Sequence, residues 1–259
     1  MYTDNGFWDT FRAVHPLFTL LYPEVSERVT QSILNAYDES GFMPEWASPG
    51  HRECMIGNNS ISLLTDAWMK GIRTICPEKA LEAMIHQTEA RHPGISSVGR
   101  DGFGYYDRLG YVPYPEVHEA TAKTLEYAYA DWCVARFADS IGRKEIADTY
   151  YRKALNYRNL YYPDYGFMWA KDANGKWRDA FDSTEWGGPF TEGSSWHWTW
   201  SVLHDPEGLS RLMGGHTAME ARLDSMFTAP NTYNYGTYGF VIHEIAAVSY
   251  THLTLPTNS

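Results

Sequence analysis

Cysteine is scarce and basic charge is in deficit. The 259 residues include three cysteines, Cys54, Cys76 and Cys133, an odd and scattered set that implies no disulfide framework. None belongs to a C-x-x-C pair or lies at ligand spacing from a histidine, so structural zinc is not indicated, and all three are expected as buried free thiols. Lys and Arg number 21 against 32 Asp and Glu, for a net charge of −11. An acidic chain without a Lys/Arg run is a poor partner for nucleic acid or anionic lipid. No apolar stretch approaches the roughly 20 residues of a membrane span. Met1-Tyr2-Thr3-Asp4-Asn5 lacks the basic and apolar regions of a signal peptide.

Several enzyme classes fail on motif. His243-Glu244 has Ala247 where H-E-x-x-H needs its second ligand, and His118-Glu119 has Ala122 there. Gly193-Ser194-Ser195 is not a nucleophile elbow, because His197 stands where glycine is required. No P-loop or dinucleotide fingerprint occurs. What is abundant is aromatic surface, 15% of the chain. Aromatic rings build large cores, and they also form platforms for the apolar C–H face of a pyranose ring.

Apolar spacing predicts helices at 10–22, with Asp9 as its cap, and at 23–40, 60–70, 117–140 and 143–161. Another starts at Pro77 and ends before Pro93-Gly94, and four more are read at 194–203, 206–213, 217–227 and 238–248. Long loops fall at 42–59, 94–116 and 163–191, the last with a hairpin signal, Phe167 to Ala170 and Lys176-Trp177 around Asn174-Gly175. No strand–helix alternation appears. The expected class is all-α, an incomplete (α/α)6 toroid of helical hairpins with its long loops at one end. About ten helices are read where a closed toroid of six hairpins needs twelve.

Three carboxylate groupings stand out. Glu192 precedes a helix start and is flanked by Phe190, Trp196 and Trp198. A carboxyl crowded by rings is desolvated and suited to general acid work; the competing reading is a first-turn Glu held by the helix dipole. In Trp8-Asp9-Thr10-Phe11-Arg12, Asp9 and Arg12 can each bond a polyol hydroxyl pair while Trp8 stacks on a ring, or Asp9 simply caps a helix and Arg12 is exposed. His243-Glu244 is the third pair, equally readable as solvated side chains. Cys54-Met55-Ile56-Gly57-Asn58-Asn59 offers amides for a polar pocket or a helix cap, and Asn58-Asn59-Ser60 matches a glycosylation sequon.

Five segments in this order resemble glycoside hydrolase family 92: Tyr2 to Arg12, Cys54 to Gly57, Thr124-Leu125-Glu126-Tyr127-Ala128-Tyr129-Ala130-Asp131-Trp132, Thr191-Glu192-Gly193, and Tyr238 to Glu244. The resemblance spans residues 2 to about 248. It implies an exported, calcium-dependent, inverting exo-α-mannosidase acting on mannose-containing glycans, with an N-terminal β-sandwich and an (α/α)6 barrel. By resemblance Glu192 is the general acid and Asp9 binds sugar hydroxyls. His243 and Glu244 contact the terminal mannose, and Glu244 lies close to the Ca2+. Trp8, Arg12 and Trp196 complete the expected sugar contacts.

The family's catalytic base is an Asp downstream of the His-Glu motif, and nothing here matches it. Residues 1–248 are therefore expected to be part of the catalytic barrel, missing the β-sandwich and the remaining helices. Residues 249–259 break the helical pattern and resemble sequencing read-through, not native sequence. The chain alone is expected to hydrolyse little mannoside. Two alternatives are a non-catalytic glycan-binding toroid and a toroid glycosidase for another sugar.

Overall fold

A computed structural model of the chain describes residues 4–228 and Asn234. It divides into two compact units, residues 1–112 with 123–159 and residues 113–122 with 160–259. The first is mainly helical, as the sequence predicts; the second joins short helices to long irregular segments.

The first unit opens on a two-residue strand, β1 (Asn5–Gly6), and a single turn of helix, α1 (Phe7–Thr10). Helices α2 (Val14–Leu21) and α3 (Pro23–Ser40) follow. The predicted helix from 10 to 22 is thus broken at 11–13, where Arg12 turns its guanidinium over the Trp8 and Phe11 rings. Asp9 caps nothing, because it lies inside α1, whose N-cap is Gly6. Pro23 opens α3 where its missing N–H costs no hydrogen bond, and Gly41 closes it with a φ of 80°, a left-handed conformation that glycine adopts without a Cβ clash. Strand β2 (Trp46–Ala47) pairs antiparallel with β1 and ties the loop at 42–59 to the chain start. Helices α4 (Asn59–Met69) and α5 (Pro77–Glu89) lie within two residues of expectation. Helix α6 (Phe103–Leu109) interrupts a stretch that reads as loop; glycines with positive φ bound it on both sides, Gly102 and Gly110.

Helix α7 (Ala120–Ser140) departs from the wide apolar stripe that its spacing predicts: from Ala120 to Ala138 nearly every residue is buried or half-buried. Its alanines let neighbouring elements approach closely, and its polar residues are carried inside with them. Buried polar groups must be matched. Asp131 meets Arg100 at 2.8 Å with both side chains essentially inaccessible, and accepts a 2.7 Å hydrogen bond from the Tyr106 hydroxyl. Arg100 also donates to the Asn58 side chain at 2.7 Å and to the Tyr127 carbonyl at 3.2 Å. Asn58 is therefore inside the protein, and the sequon is not a surface acceptor in this structure.

The expected helix from 143 to 161 is α8 (Lys144–Lys153) followed by a tighter 3-10 segment, Ala154–Leu160. Ala154, Tyr157 and Leu160 are all buried, and a three-residue repeat matches the 3-10 period rather than the α period. The first unit's core joins Phe7, Ile33, Leu64, Met84, Val134 and Phe137, among others. Of the cysteines only Cys133 is buried; Cys54 is half-buried and Cys76 exposed, so the expectation of three buried thiols holds for one.

In the second unit, β3 (Tyr161–Tyr162) pairs with β4 (Phe167–Met168). The sequence predicts Phe167 to Ala170 paired with Lys176-Trp177 around Asn174-Gly175; a shorter hairpin forms at that turn, with Lys171 bridged to Trp177 and the Arg178 amide donating to the Ala170 carbonyl at 2.9 Å, while Phe167-Met168 is paired elsewhere. Asp172 organises the Asn174-Gly175 turn, accepting from the Asn174 and Lys176 amides at 2.8 and 2.9 Å. Helix α9 (Ser195–Trp198) is a single turn, shorter than the predicted 194–203. It stops as the Thr199 hydroxyl bonds back to the Ser195 carbonyl and accepts the Met168 amide. Helices α10 (Pro206–Met213) and α11 (His216–Thr228) complete the unit. The predicted helix at 238–248 and the tail at 249–259 lie outside the described residues.

Two measurements follow. Asp131→Ala strands the buried Arg100 guanidinium and is expected to cost about 3–5 kcal/mol in urea unfolding. The second concerns Glu45, whose buried carboxyl sits among the Ser60 amide and hydroxyl and the Gln87 amide. Burial outweighs these hydrogen bonds and pushes Glu45 from the ordinary 4.5 up to about 8. Folded chains thus hold a proton that unfolded chains have released. Stability should therefore fall as pH rises from 4.5 to 8, by about 1.4 kcal/mol for each pH unit crossed. Buried His15, lowered from 6.5 to about 4, gives the opposite slope below 6.5. The His15 contribution is common to both chains, so the difference between unsubstituted and Glu45→Gln chains in urea midpoints should follow Glu45 alone and change steadily between pH 4.5 and 8.

Candidate functional site

In the first unit, three segments that are distant in sequence meet at one carboxylate. Glu126, on α7, is buried and accepts a hydrogen bond from the Trp8 indole N–H at 3.2 Å. The Asn59 amide hydrogen-bonds to it as well, and Arg12 faces it electrostatically. Burial raises the Glu126 pKa, while the Arg12 charge, the indole and the Asn59 amide pull it back. Gly57 has a φ of 89°, and a Cβ there would lie 2.6 Å from the Glu126 carboxylate oxygen Oε2. Glycine is required on both counts, which gives the Cys54 to Gly57 segment its physical meaning.

The Arg12 guanidinium lies 4.3 Å from the centre of the Trp8 ring, covering one face of a half-buried indole. Asp9, the next residue, is exposed. The structure thus brings Trp8 and Arg12 together with Asn59 and Glu126, beside an exposed Asp9. Glu126 is not among the residues that the sequence singles out, although it sits within one of the five family segments. An acidic residue between Leu125 and Tyr127 on a long, alanine-rich helix is the signal that could have found it.

In the second unit, Glu192 is exposed and has a φ of 44°. A left-handed backbone costs a residue with a Cβ about 1–2 kcal/mol. It is held there from both sides. The Thr191 carbonyl accepts from the Trp198 indole at 2.7 Å, and the Gly193 carbonyl accepts from the Gly187 amide at 2.9 Å. Ser194 caps α9 in a reciprocal arrangement with His197, whose Nδ1 accepts the Ser194 amide at 3.2 Å. A Cβ at Gly193 would sit 3.0 Å from the Trp198 Nε1, so the ring closes directly on the loop.

Neither sequence reading of Glu192 describes this arrangement. Glu192 is exposed, not enclosed by its sequence neighbours: Phe190 and Trp198 are buried, and Trp196 packs edge-on against Phe167 at 4.7 Å, near Arg222. Glu192 also precedes the Ser194 cap, outside the first turn of α9. His243 and Glu244 lie outside the described residues. Among the described residues no group of three or more His, Cys, Asp or Glu could hold a metal ion, so the calcium expectation rests on Glu244 and has no support in this geometry.

The catalytic domain described as glycosyl hydrolase family 92 matches residues 1–251, and the chain belongs to that family. It is 82% identical to the family GH92 inverting mannosidase of Bacteroides thetaiotaomicron, with a TM-score of 0.87 over 98% of this chain and 34% of that one. It is 32% identical to an α-mannosidase of the same family and organism solved with mannoimidazole, with a TM-score of 0.82 over 90% of this chain and 31% of that one. An uncharacterized secreted glycosidase of Arthroderma benhamiae is 27% identical over 225 residues, 74% of this chain and 29% of that protein. The chain spans about a third of the length of these relatives. The all-α hairpin class read from the sequence agrees with these matches.

Because the Glu192 backbone is strained, Glu192→Gly is expected to stabilise the fold by up to about 1 kcal/mol, despite the entropy of glycine, while removing the carboxyl. A urea midpoint lower than that of the unsubstituted chain would argue against stored strain.

Proposed function

We propose that the chain carries the acid and sugar-binding residues of an inverting exo-α-mannosidase acting on terminal α-mannosides of glycans. The carrying observation is Glu192: a non-glycine residue in a left-handed backbone, clamped on both sides, with its side chain open to solvent. Strain of this kind collects at functional sites. A carboxyl on a rigid loop can be presented to a glycosidic oxygen at fixed geometry.

In this reading Glu192 gives its proton to the leaving oxygen as the bond to the anomeric carbon breaks. Water adds from the opposite face and loses its proton to a base. Inverting enzymes hold the two carboxyls about 6.5–9.5 Å apart, with room for that water. No residue of this chain is assigned the base. Asp9 accepts from sugar hydroxyls, Trp8 and Trp196 offer ring surfaces, and His243 with Glu244 belongs to the terminal mannose. Calcium, a hard cation that takes oxygen ligands, enters the proposal only through Glu244, and no step is routed through it. Export is part of the proposal, supported by the relative named as a secreted glycosidase; among the described residues no helix is long and apolar enough to cross a membrane.

One observation favours a non-catalytic glycan-binding reading, namely that Glu192 is exposed. Calorimetric titration with mannoimidazole separates the two. Binding by the unsubstituted chain is expected to weaken about tenfold or more in Asp9→Ala and on adding EDTA, and to respond to Glu192→Gln. Binding indifferent to both EDTA and Glu192→Gln would move the binding-protein reading into first place.

A further inference from the structure

We propose that Glu126 is a positioning residue: its buried carboxylate fixes the Trp8 indole by its N–H edge, with Arg12 over one ring face, so that the other face is presented to a sugar. The proposal rests on the mannoside reading for the identity of that sugar, but the positioning is argued from geometry alone.

An indole ring has two faces and one strong polar handle. The handle is taken at 3.2 Å by Glu126, on a helix far away in sequence. One face is taken by the Arg12 guanidinium at 4.3 Å. On the other, no ring or cation lies among the described residues, and Trp8 is only half-buried. A ring held by its edge and one face has lost its side-chain freedom before any ligand arrives, which is the usual origin of affinity from preorganisation. Asp9, the next residue of α1, is exposed.

Glu126 is in turn held in place. Asn59 donates to it, and the absence of a side chain at Gly57 leaves room for Oε2, which a Cβ would approach to 2.6 Å. A buried carboxylate is a costly way to satisfy one indole N–H, since a backbone carbonyl or a glutamine would do so without desolvating a charge. Arg12, itself exposed, offsets part of that cost by its charge. Glu126 therefore orders the Trp8 side chain through the hydrogen bond, while Arg12 covers one face of the same ring.

The test uses the full chain labelled at its tryptophan indoles with nitrogen-15, the Trp8 signal being assigned with Trp8→Phe. Glu126→Ala is expected to move the Trp8 indole N–H resonance to the position of a solvent-bonded indole while the other indole signals stay in place. It should weaken mannoimidazole binding about tenfold, and no further loss should appear when it is combined with Trp8→Phe. Glu126→Gln keeps the shape and an acceptor oxygen, so it should move the Trp8 signal less and largely rescue binding. Should the alanine variant not fold, Glu126→Met, similar in size and without an acceptor oxygen, decides by whether the Trp8 signal shifts. An unmoved Trp8 signal would overturn the proposal, as would a binding loss that persists unchanged in the Trp8→Phe background. If the unsubstituted chain binds no mannoimidazole, the mannoside reading fails, and the Trp8 resonance still decides the positioning role.

Discussion

A long helix buried on nearly every side must be either wholly apolar or have its buried charges partnered, and α7 is the second kind. Its Asp131 is inaccessible, and the charge is tolerable only because Arg100 arrives at 2.8 Å with the Tyr106 hydroxyl beside it. Arg100 in turn needs Asn58 and the Tyr127 carbonyl to complete its donors. The loop before α4 and the segment before α6 are thereby pinned to α7 by polar geometry that admits little slippage. The second buried acid on the same helix, Glu126, inherits this frame. With Asn58 anchored by Arg100, the adjacent Gly57 and Asn59 can be brought against the Glu126 carboxylate.

How much of this is legible in the sequence divides by physical range. Helices whose ends are set by local chemistry are legible: Pro23 and Gly41 bound α3, and Pro206 and Gly214 bound α10. Where packing decides, the sequence is ambiguous. The period of Ala154, Tyr157 and Leu160 becomes informative only with knowledge of which side is buried. Helix α6 escapes notice because a seven-residue segment between two glycines reads as loop. The hairpin expected within 163–191 is misregistered because Asn174-Gly175 does form a turn, whereas the partner of Phe167-Met168 is Tyr161-Tyr162, chosen by pairing and not by turn chemistry.

The candidate site divides likewise. Asp9, Arg12 and Glu192 stand out by residue type and local context, and the family motifs direct attention to the segments that hold them. Their surroundings are not legible. Crowding of Glu192 by rings assumes that neighbours in sequence are neighbours in space, yet Trp198 turns its indole onto the backbone at Thr191 and Glu192 is exposed. Glu126 passes unnoticed because its meaning depends on Trp8, a contact between residues 118 positions apart.

The ion pair made by α7 also bears on the order of assembly. The central turns of α7 cannot be withdrawn from water until Arg100 is there to receive Asp131, since a lone buried carboxylate would cost several kcal/mol. Arg100 comes from a loop about 30 residues upstream and reaches Asp131 only after that loop has closed, with the entropy loss that closure entails. Hydrophobic collapse of α3, α4 and α5 can begin earlier, because their apolar faces need no such partner. Docking of the loops around Asn58 and Arg100 and burial of α7 are then one cooperative event, and the indole of Trp8 finds its acceptor only after it.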